Sequence, residues 1–387
     1  MRRVYLDHNA TTPVHPEVLE AMGPYFMDDF GNASSLHSYG RSARVAVERA
    51  REKIADIFQC LPLEIVFTSG GTESDNMAIK GTAWAKRDAG KHIITSTIEH
   101  HAVLETCHFL EKNGFEVTFL EPDSKGIISP GNLKRTIRPD TILITIIHAN
   151  NETGTIQDIA KMAEIAHQAG VLFHTDAVQS TGKIPFTVNE LGVDMFSVSG
   201  HKLYGPKGVG LLYIKRKTKI QQLSHGGSHE NNQRAGTENV SGIVGLAKAI
   251  EIAWRDMEKE SEKLTKLTSV FTEEVRKRIP DVTVIGDQEN RVPNTVNIAF
   301  QAIEGESIVL GLDLKGIAVS AGSACSSGAS EPSHVILALG IPPELAQGAI
   351  RFSFGRSNEL PDIDYVVDVL EKEVARLRSI SPLYHSA

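Results

Sequence analysis

Short apolar runs alternate with amphipathic segments through the first two-thirds of the chain. The apolar runs predict strands at 64–68, 92–96, 141–148, 171–176, 195–199 and 208–214. Helical periodicity lies between several of these runs, for example at 74–87 and 159–169. Strands that alternate with helices are typical of a mostly parallel sheet that is covered by helices on both faces.

The last third of the chain has a different pattern. A long, charged segment at 240–278 has helical periodicity. Strand-like runs return at 295–300 and 317–321, and a helical segment follows at 363–377. This change of pattern indicates that the chain leaves the first sheet and enters a second unit.

The length of the chain supports two units. A sequence of 387 residues is too long for one compact core. We therefore predict an α/β protein with a large domain at 16–255. A smaller α+β domain is expected from 1–15 together with 256–387.

Composition and charge exclude several classes of protein. Hydrophobic residues make up 41% and charged residues 23% of the chain, which is typical of a globular protein. The net charge of −8 argues against nucleic acid or an anionic membrane as a partner. No apolar stretch is long enough to span a bilayer, and the first residues lack the apolar core of a signal peptide.

The three cysteines, Cys60, Cys107 and Cys325, lie far apart. Their number and spacing fit neither a disulfide framework nor a paired zinc motif, so a cytoplasmic location is predicted. Cys60 and Cys107 lie in or after helical segments and are expected to be packing residues. Cys325 lies in a run of Gly, Ala and Ser, a context that favours an accessible, nucleophilic thiol.

Five polar residues follow the carboxyl ends of predicted strands: Thr72, His100, Asn151, Asp176 and Lys202. Ligands bind at this edge of open α/β sheets. We therefore expect these side chains to surround one ligand.

The segment SGGTES at 69–74 links a predicted strand to a helix. Gly70 and Gly71 would let the backbone approach an anion, and the helix N-terminus would supply free N–H groups. This pattern predicts a phosphate cradle; the alternative is an ordinary turn that Thr72 caps. The Gly-Lys-Ser/Thr ending of nucleotide-phosphate loops is missing, which disfavours a kinase or ATPase.

Asp176 lies at the end of an apolar strand, where a carboxylate needs a cation. A protonated pyridine nitrogen would supply that charge, and Gln179 could then bond to a phenolic oxygen on the same ring. A salt bridge to Lys or Arg is one alternative. A metal site with His174, which shares the strand face, is another.

Lys202 lies in a glycine-rich turn between two predicted strands. A lysine beside an aldehyde cofactor forms a Schiff base, and Ser199 and His201 could donate to its phosphate. The alternative is a solvated loop lysine. His100 is expected to stack on the ring, although His100 and His101 could also be metal ligands or surface residues.

Together these motifs resemble a known family. Their order is similar to that of the class V, fold type I, pyridoxal-phosphate (PLP) enzymes, and more narrowly to the cysteine desulfurases of the NifS/IscS type. The likeness runs nearly end to end, through YLDHNATTP at 5–13, GNASSLH at 31–37, FTSGGTESDN at 67–76, HANNETG at 148–154, SGHKLYGPKG at 199–208, RAGTEN at 234–239 and GSACSSGASEPSHVILALG at 322–340.

The resemblance implies PLP as cofactor and a role for each motif residue. Lys202 would be the Schiff-base lysine, and Asp176 would hold the pyridine nitrogen. The remaining cofactor contacts it implies are His100 on the ring, Gln179 and Asn151 near the ring oxygen, Gly71, Thr72, Ser199 and His201 at the phosphate, and Thr237 reaching the phosphate of a neighbouring subunit. The last contact implies a homodimer.

The resemblance also implies the reaction. L-Cysteine would be converted to L-alanine, and its sulfur would move to Cys325 as a persulfide for iron–sulfur cluster assembly or other sulfur transfer. A sulfur-acceptor protein would be the partner, and Cys325 could ligate a nascent cluster. His100, with an ordinary pKa near neutrality, would be the acid/base. Arg351, in an Arg-x-Ser pattern, would bind the substrate carboxylate with help from Asn32.

Other functions share parts of this pattern. A selenocysteine lyase or a class V aminotransferase would use the same lysine, and a non-catalytic sulfur-relay or scaffold protein could keep PLP without turnover. A metal hydrolase is the remaining alternative, with His100, His101, His174 and Asp176 as its residues. Housekeeping desulfurases continue past the final Ser-Pro-Leu segment into a tail associated with scaffold docking; the sequence stops at 381–387, so docking through such a tail is not expected.

Overall fold

Residues 2–321 and 331–384 are described by the structure, a computed structural model. Their strands are β1 Val4–Tyr5, β2 Ile65–Thr68, β3 His92–Ser96, β4 Glu116–Leu120, β5 Thr141–Thr145, β6 Leu172–Asp176, β7 Met195–Ser199, β8 Gly210–Ile214, β9 Val282–Ile285, β10 Thr295–Phe300, β11 Ile317–Ala318, β12 Ser320–Ala321 and β13 Ala349–Ser353.

Their α-helices are α1 Pro16–Met22, α2 Pro24–Met27, α3 Ser38–Phe58, α4 Gly71–Lys86, α5 His101–Glu111, α6 Pro130–Thr136, α7 Ile159–Gln168, α8 Val188–Leu191, α9 Val240–Arg278, α10 Gly305–Asp313, α11 His334–Ala338, α12 Pro343–Ala346 and α13 Leu360–Ile380. Among these helices, none combines the length and the apolar character needed to cross a membrane.

A seven-stranded sheet forms the centre of the larger part of the chain. Its strand order is β2-β8-β7-β6-β5-β3-β4, and β8 alone runs antiparallel to its neighbours. Alternate residues along each strand enter different cores: Phe67 and Leu211 pack in one, Val66 and Leu212 in the other. The apolar runs of the sequence reflect this burial on both faces. The predicted α/β architecture is confirmed.

A third core joins the two ends of the chain. It contains Leu6 from the N-terminal segment, Phe271 from α9, and Phe352 from β13. A four-stranded antiparallel sheet, in the order β12-β13-β10-β9, forms its floor. This gathering of early and late residues supports the predicted smaller domain.

The long helix α9 connects the two parts. Its first half supplies Leu246 and Ile250 to a core of the large sheet, and its second half supplies Leu267 and Phe271 to the third core. The predicted boundary after residue 255 falls between these halves. We therefore propose a large domain at 16–255 and a smaller domain formed by 1–15 and 256–387.

The strand ends place the site. β2, β3, β5, β6 and β7 are parallel to one another and end at the same edge of the sheet. Each is followed by a turn into a helix or a loop that carries polar residues. The chain therefore collects its reactive groups at one carboxyl edge.

Candidate active site

A cavity of about 360 Å³ opens at the carboxyl edge of the seven-stranded sheet. It is also bordered by the N-terminal segment and by β12, β13 and α11 from the smaller part of the chain. Ten residues predicted from the sequence line it: Gly71, Thr72, His100, Asn151, Asp176, Gln179, Ser199, His201, Lys202 and Arg351. The structure thus joins motifs that lie up to 280 positions apart, the separation of Gly71 and Arg351.

The N-terminus of α4 forms one wall. Gly70 precedes the helix with φ of +152°, a value that residues with a side chain rarely adopt, and it offers no side-chain cap. A Cβ on Gly71 would lie 2.8 Å from Cγ2 of Val178, so a side chain at this position would have to displace Val178. Thr72 lies inside the first turn rather than at the cap, which makes the alternative of a Thr72-capped turn wrong. Uncapped N–H groups at a helix start attract anions.

Three buried carboxylates form the floor. The Oδ1 atom of Asp176 accepts a hydrogen bond from the Val178 N–H at 2.9 Å, and burial raises the pKa of Asp176 to about 6. Burial and the charge of Asp176 raise the pKa of Asp75 well above its usual range. In the described part of the chain Asp75 Oδ1 accepts no hydrogen bond, and Nε2 of His174 lies 3.7 Å from it. Burial raises the pKa of Glu99 to about 8. A positively charged ligand beside these three carboxyls would favour their ionised form and would be held by it.

Glu99 gives the cofactor-free protein a specific pH dependence. Its folded pKa of about 8 lies above the ordinary 4.5, so its contribution to stability is present at low pH and is lost as pH rises through about 8. Glu99→Gln keeps an oxygen that can accept from the Ser96 hydroxyl and the Ile147 N–H, as Oε1 does now.

We expect the unfolding temperature of the wild type, relative to Glu99→Gln, to fall between about pH 5 and about pH 8. Thermal unfolding followed by circular dichroism at several pH values measures this difference. Parallel curves for the two proteins would contradict the raised pKa.

His100 is the N-cap of α5 and lines the cavity. Its Nδ1 atom accepts from the Ala102 N–H at 3.1 Å. Burial, followed by the positive charge of Lys202, lowers the pKa of His100 to about 4. At neutral pH the ring is therefore neutral, and the Ala102 contact on Nδ1 leaves its proton on Nε2. Its role as acid/base stays a prediction.

Lys202 ends the 3₁₀ turn Gly200–Lys202, which follows β7 directly. Its Nζ atom donates to the backbone oxygens of Asn9 and Ala10, each at 2.7 Å. These contacts are inconsistent with a solvated loop lysine. Beside it, the Nδ1 atom of His201 lies 3.1 Å from the Thr11 hydroxyl, and burial lowers the pKa of His201 to about 4.

Arg351 lies on β13, and two neighbouring residues of the cavity fix the position of its guanidinium group. One guanidinium nitrogen bonds to Oδ1 of Asp7 at 2.8 Å, and another to the backbone oxygen of Asn151 at 3.0 Å. Its Nε atom is buried and has no partner in residues 2–321 and 331–384. Arg356, by contrast, pairs with Asp256 at 3.4 Å and lies over the Tyr204 ring.

Two predicted site residues lie outside the cavity. Asn32 is exposed, and its side chain accepts from the Ser34 N–H. Thr237 is exposed and outside this chain's cavity. Cys325 lies outside the described residues. Cys60 and Cys107 are free thiols.

The residues of the metal alternative come together only in part: His100, His101 and Asp176 line the cavity, but His174 is engaged elsewhere. The ring nitrogens of His174, which is fully buried, lie 2.8 Å from the Thr145 hydroxyl and 3.0 Å from the Ser197 hydroxyl. A different trio offers ligand atoms within 4.8 Å of one another: Asp75, His100 and Asp176. A metal ion there would repel the nearby ammonium of Lys202, whose charge already lowers the pKa of His100.

Sequence reasoning assigned no role to several residues that line the cavity: Asp7, Asn9, Asp75, Glu99, Glu152 and His334. Asp75 follows Thr72 by three positions on α4, and that spacing puts both on one helix face. Asp7 and Asn9 belong to the motif at 5–13. That motif follows none of the predicted strands, so the strand-end argument did not select its residues.

Comparisons with known proteins agree with this geometry. Residues 4–366 match the family described as aminotransferase class-V. The cysteine desulfurase IscS of Dictyoglomus turgidum is 58% identical over 381 residues, which cover 98% of this chain and 97% of that protein. The solved structure of a NifS-like protein has a TM-score of 0.92 at 39% identity, covering 97% of this chain and 100% of its own.

A second solved structure, described as SspA in complex with cysteine, has a TM-score of 0.82 at 39% identity. It covers 90% of this chain and 98% of that chain. The family match covers residues 4–366, and the IscS relative is 58% identical over 98% of this chain. The chain therefore belongs to the cysteine desulfurases of the NifS/IscS type, within the class-V aminotransferase family.

Proposed function

We propose that the chain uses PLP to take sulfur from L-cysteine, releases L-alanine and holds the sulfur on Cys325 as a persulfide. One observation carries the proposal: a lysine ammonium, buried carboxylates, an uncapped helix N-terminus and a buried guanidinium meet in one cavity. The names of the relatives, and the cysteine bound in the SspA structure, support L-cysteine as substrate.

The residues of the cavity fit PLP, the cofactor on which this family depends. A volume of about 360 Å³ suits a small organic molecule. Gly71 and Thr72 at the start of α4 would hold its phosphate, with Ser199 and His201 beside them. Asp176 would hold the ring nitrogen, because a buried carboxylate of raised pKa gains most from a positive partner.

When bound through Lys202, PLP supplies an electron sink for the substrate carbon next to the amino group. The chain's own groups then handle protons. Lys202, once released by the substrate, can carry a proton from a position 2.7 Å from the backbone oxygens of Asn9 and Ala10. His100 presents its Nε2–H, because Nδ1 is occupied by the Ala102 N–H. It therefore acts first as a donor.

Cys325 is the proposed sulfur acceptor. Its thiolate would form an S–S bond to the substrate sulfur while the C–S bond breaks, and the carbon would keep the electron pair and take a proton to give alanine. Substrate and enzyme thiol thus become alanine and enzyme persulfide, with no external oxidant. Ser320 and His334, on either side of the segment that contains Cys325, both line the cavity.

Product analysis tests the function. With L-cysteine and dithiothreitol, the PLP-loaded protein is expected to form alanine and sulfide in equal amounts without a 2-oxo acid. Consumption of cysteine only when a 2-oxo acid is added would favour an aminotransferase. Turnover of L-selenocysteine alone would favour a selenocysteine lyase.

Arg351→Lys is expected to raise KM for L-cysteine about 10-fold, with a smaller change in kcat, because an ammonium cannot offer the planar fork that matches a carboxylate. Steady-state kinetics with alanine detection measures both constants. The control is Arg356→Lys, which changes the same residue type outside the cavity. Equal effects of the two substitutions would contradict the role of Arg351; Asn32 stays a proposed helper.

The homodimer is part of the proposal. Large apolar side chains are exposed along one early segment: Leu19, Phe26, Met27, Phe30, Leu36 and Tyr39. A cluster of this kind is typical of an interface, and Thr237 would then face the partner's cofactor phosphate. Light scattering at micromolar concentration is expected to give twice the chain mass; the mass of one chain would contradict it. A cytoplasmic location and a persulfide-accepting partner protein remain proposed.

A further inference from the structure

Lys183 lies directly behind the cavity and has no role in the reaction proposed above. Its Nζ atom donates to Oε1 of Gln179 at 2.6 Å and to Oδ1 of Asn9 at 3.1 Å. Both acceptors are neutral amide oxygens. Within residues 2–321 and 331–384, Lys183 forms no ion pair with a carboxylate.

The bond to Lys183 fixes which way the Gln179 carboxamide points. A protonated lysine can only donate, so in that state the amide oxygen faces Lys183. The amide nitrogen then donates one hydrogen to the backbone oxygen of Asn9 at 3.0 Å. Gln179 lines the cavity, and its second N–H remains for a ligand there.

Asn9 ties this pair to Lys202. The same backbone oxygen that accepts from Gln179 also accepts from Nζ of Lys202. The Asn9 side chain is fixed in turn, because its oxygen accepts from Asn294 at 3.0 Å and its nitrogen donates to the Thr295 hydroxyl at 2.8 Å. Lys183, Gln179 and Lys202 therefore share one rigid residue.

The charges around Lys183 are unfavourable to it. Burial, and then repulsion by Lys202 and Arg351, lower the pKa of Lys183 to about 7. Lys183 in turn contributes to the low pKa of His8, which is about 4. On the side facing α9, Glu260 and Arg356 line a small cavity with it. A lysine ammonium that is buried near two other cations lowers the stability of the fold. This cost points to a functional reason for having Lys183 at this position.

We propose that Lys183 is a positioning residue for the cofactor: it aims the Gln179 N–H at the phenolic oxygen of PLP and adds a positive charge behind that oxygen. The inference rests on the proposed function. Both effects favour the negative charge on the ring oxygen and so ease loss of the Schiff-base proton. Without Lys183, the pH midpoint of the cofactor's visible absorbance change should rise.

The test is a double-mutant cycle on the PLP-loaded protein, read as that pH midpoint. Lys183→Met and Gln179→Leu are each expected to raise the midpoint by about one pH unit, and the double variant by less than the sum of the two single shifts. Lys161→Met, which removes an exposed lysine paired with Glu164, is the control and should leave the midpoint unchanged.

An unchanged midpoint in Lys183→Met, with a wild type that titrates normally, would overturn the inference and leave the proposed function intact. Fully additive shifts would overturn the positioning role, since Lys183 would then act without Gln179. A wild type that acquires no visible band with PLP would overturn both. Circular dichroism confirms that each variant is folded before it is titrated.

Discussion

Cys325→Ala is expected to abolish sulfur transfer from L-cysteine while the protein stays yellow with PLP. The proposed cofactor contacts come from other residues, so the substitution leaves binding intact and removes only the nucleophile. Loss of a nucleophile lowers turnover by at least about 100-fold. Alanine formation and the visible spectrum of the same sample measure the two properties separately.

The other two cysteines provide matched controls. Burial raises the pKa of Cys60 to about 12 and the pKa of Cys107 further still, so neither thiol ionises near neutrality. Cys60→Ala and Cys107→Ala should therefore retain activity. Full activity in Cys325→Ala, or its loss in Cys60→Ala, would contradict the assignment of the acceptor.

Lys202→Ala is expected to lose both the covalent cofactor and catalysis. Without an amine at this position PLP can bind only through its phosphate and ring contacts, and turnover should fall by about 1,000-fold or more. Borohydride reduction followed by denaturation and peptide mass analysis locates the attached cofactor. In the wild type it should be found on the peptide that contains Lys202.

Lys207 is the control for that experiment. It is an exposed lysine of the same glycine-rich turn, five positions along the chain. Lys207→Ala should keep the covalent cofactor and its turnover. Reduced cofactor on Lys207 or Lys183 in the wild type would contradict the assignment of Lys202.

Most strands of the large sheet could be predicted well, because they are buried on both faces and carry apolar residues there. The six predicted strands of the large sheet correspond to β2, β3, β5, β6, β7 and β8, and the helix predicted at 240–278 matches α9. β4 was missed because it lies at the sheet edge, where only Leu120 is fully buried. β13 was missed because its apolar residues are interrupted by Arg351, a charge that only the finished site explains.

The site residues were predicted from their positions after strands and from the family resemblance. Both signals are read from short stretches of sequence. Asp75 and Glu99 gave no such signal, because their importance arises from burial next to Asp176. The low pKa of His100 has the same origin, since it depends on burial and on Lys202, a residue 102 positions away. Lys183 likewise reads as a solvated lysine until Asn9 and Gln179 are brought beside it.

The central claim is that sulfur from L-cysteine moves to one thiol of this chain. The most direct test is mass analysis of the intact protein and its peptides after one turnover with L-cysteine in the absence of reductant. We predict that the peptide containing Cys325 gains the mass of one sulfur atom, in step with one alanine released per chain. Alanine without added sulfur on Cys325, or the sulfur found on Cys60 or Cys107, would contradict it.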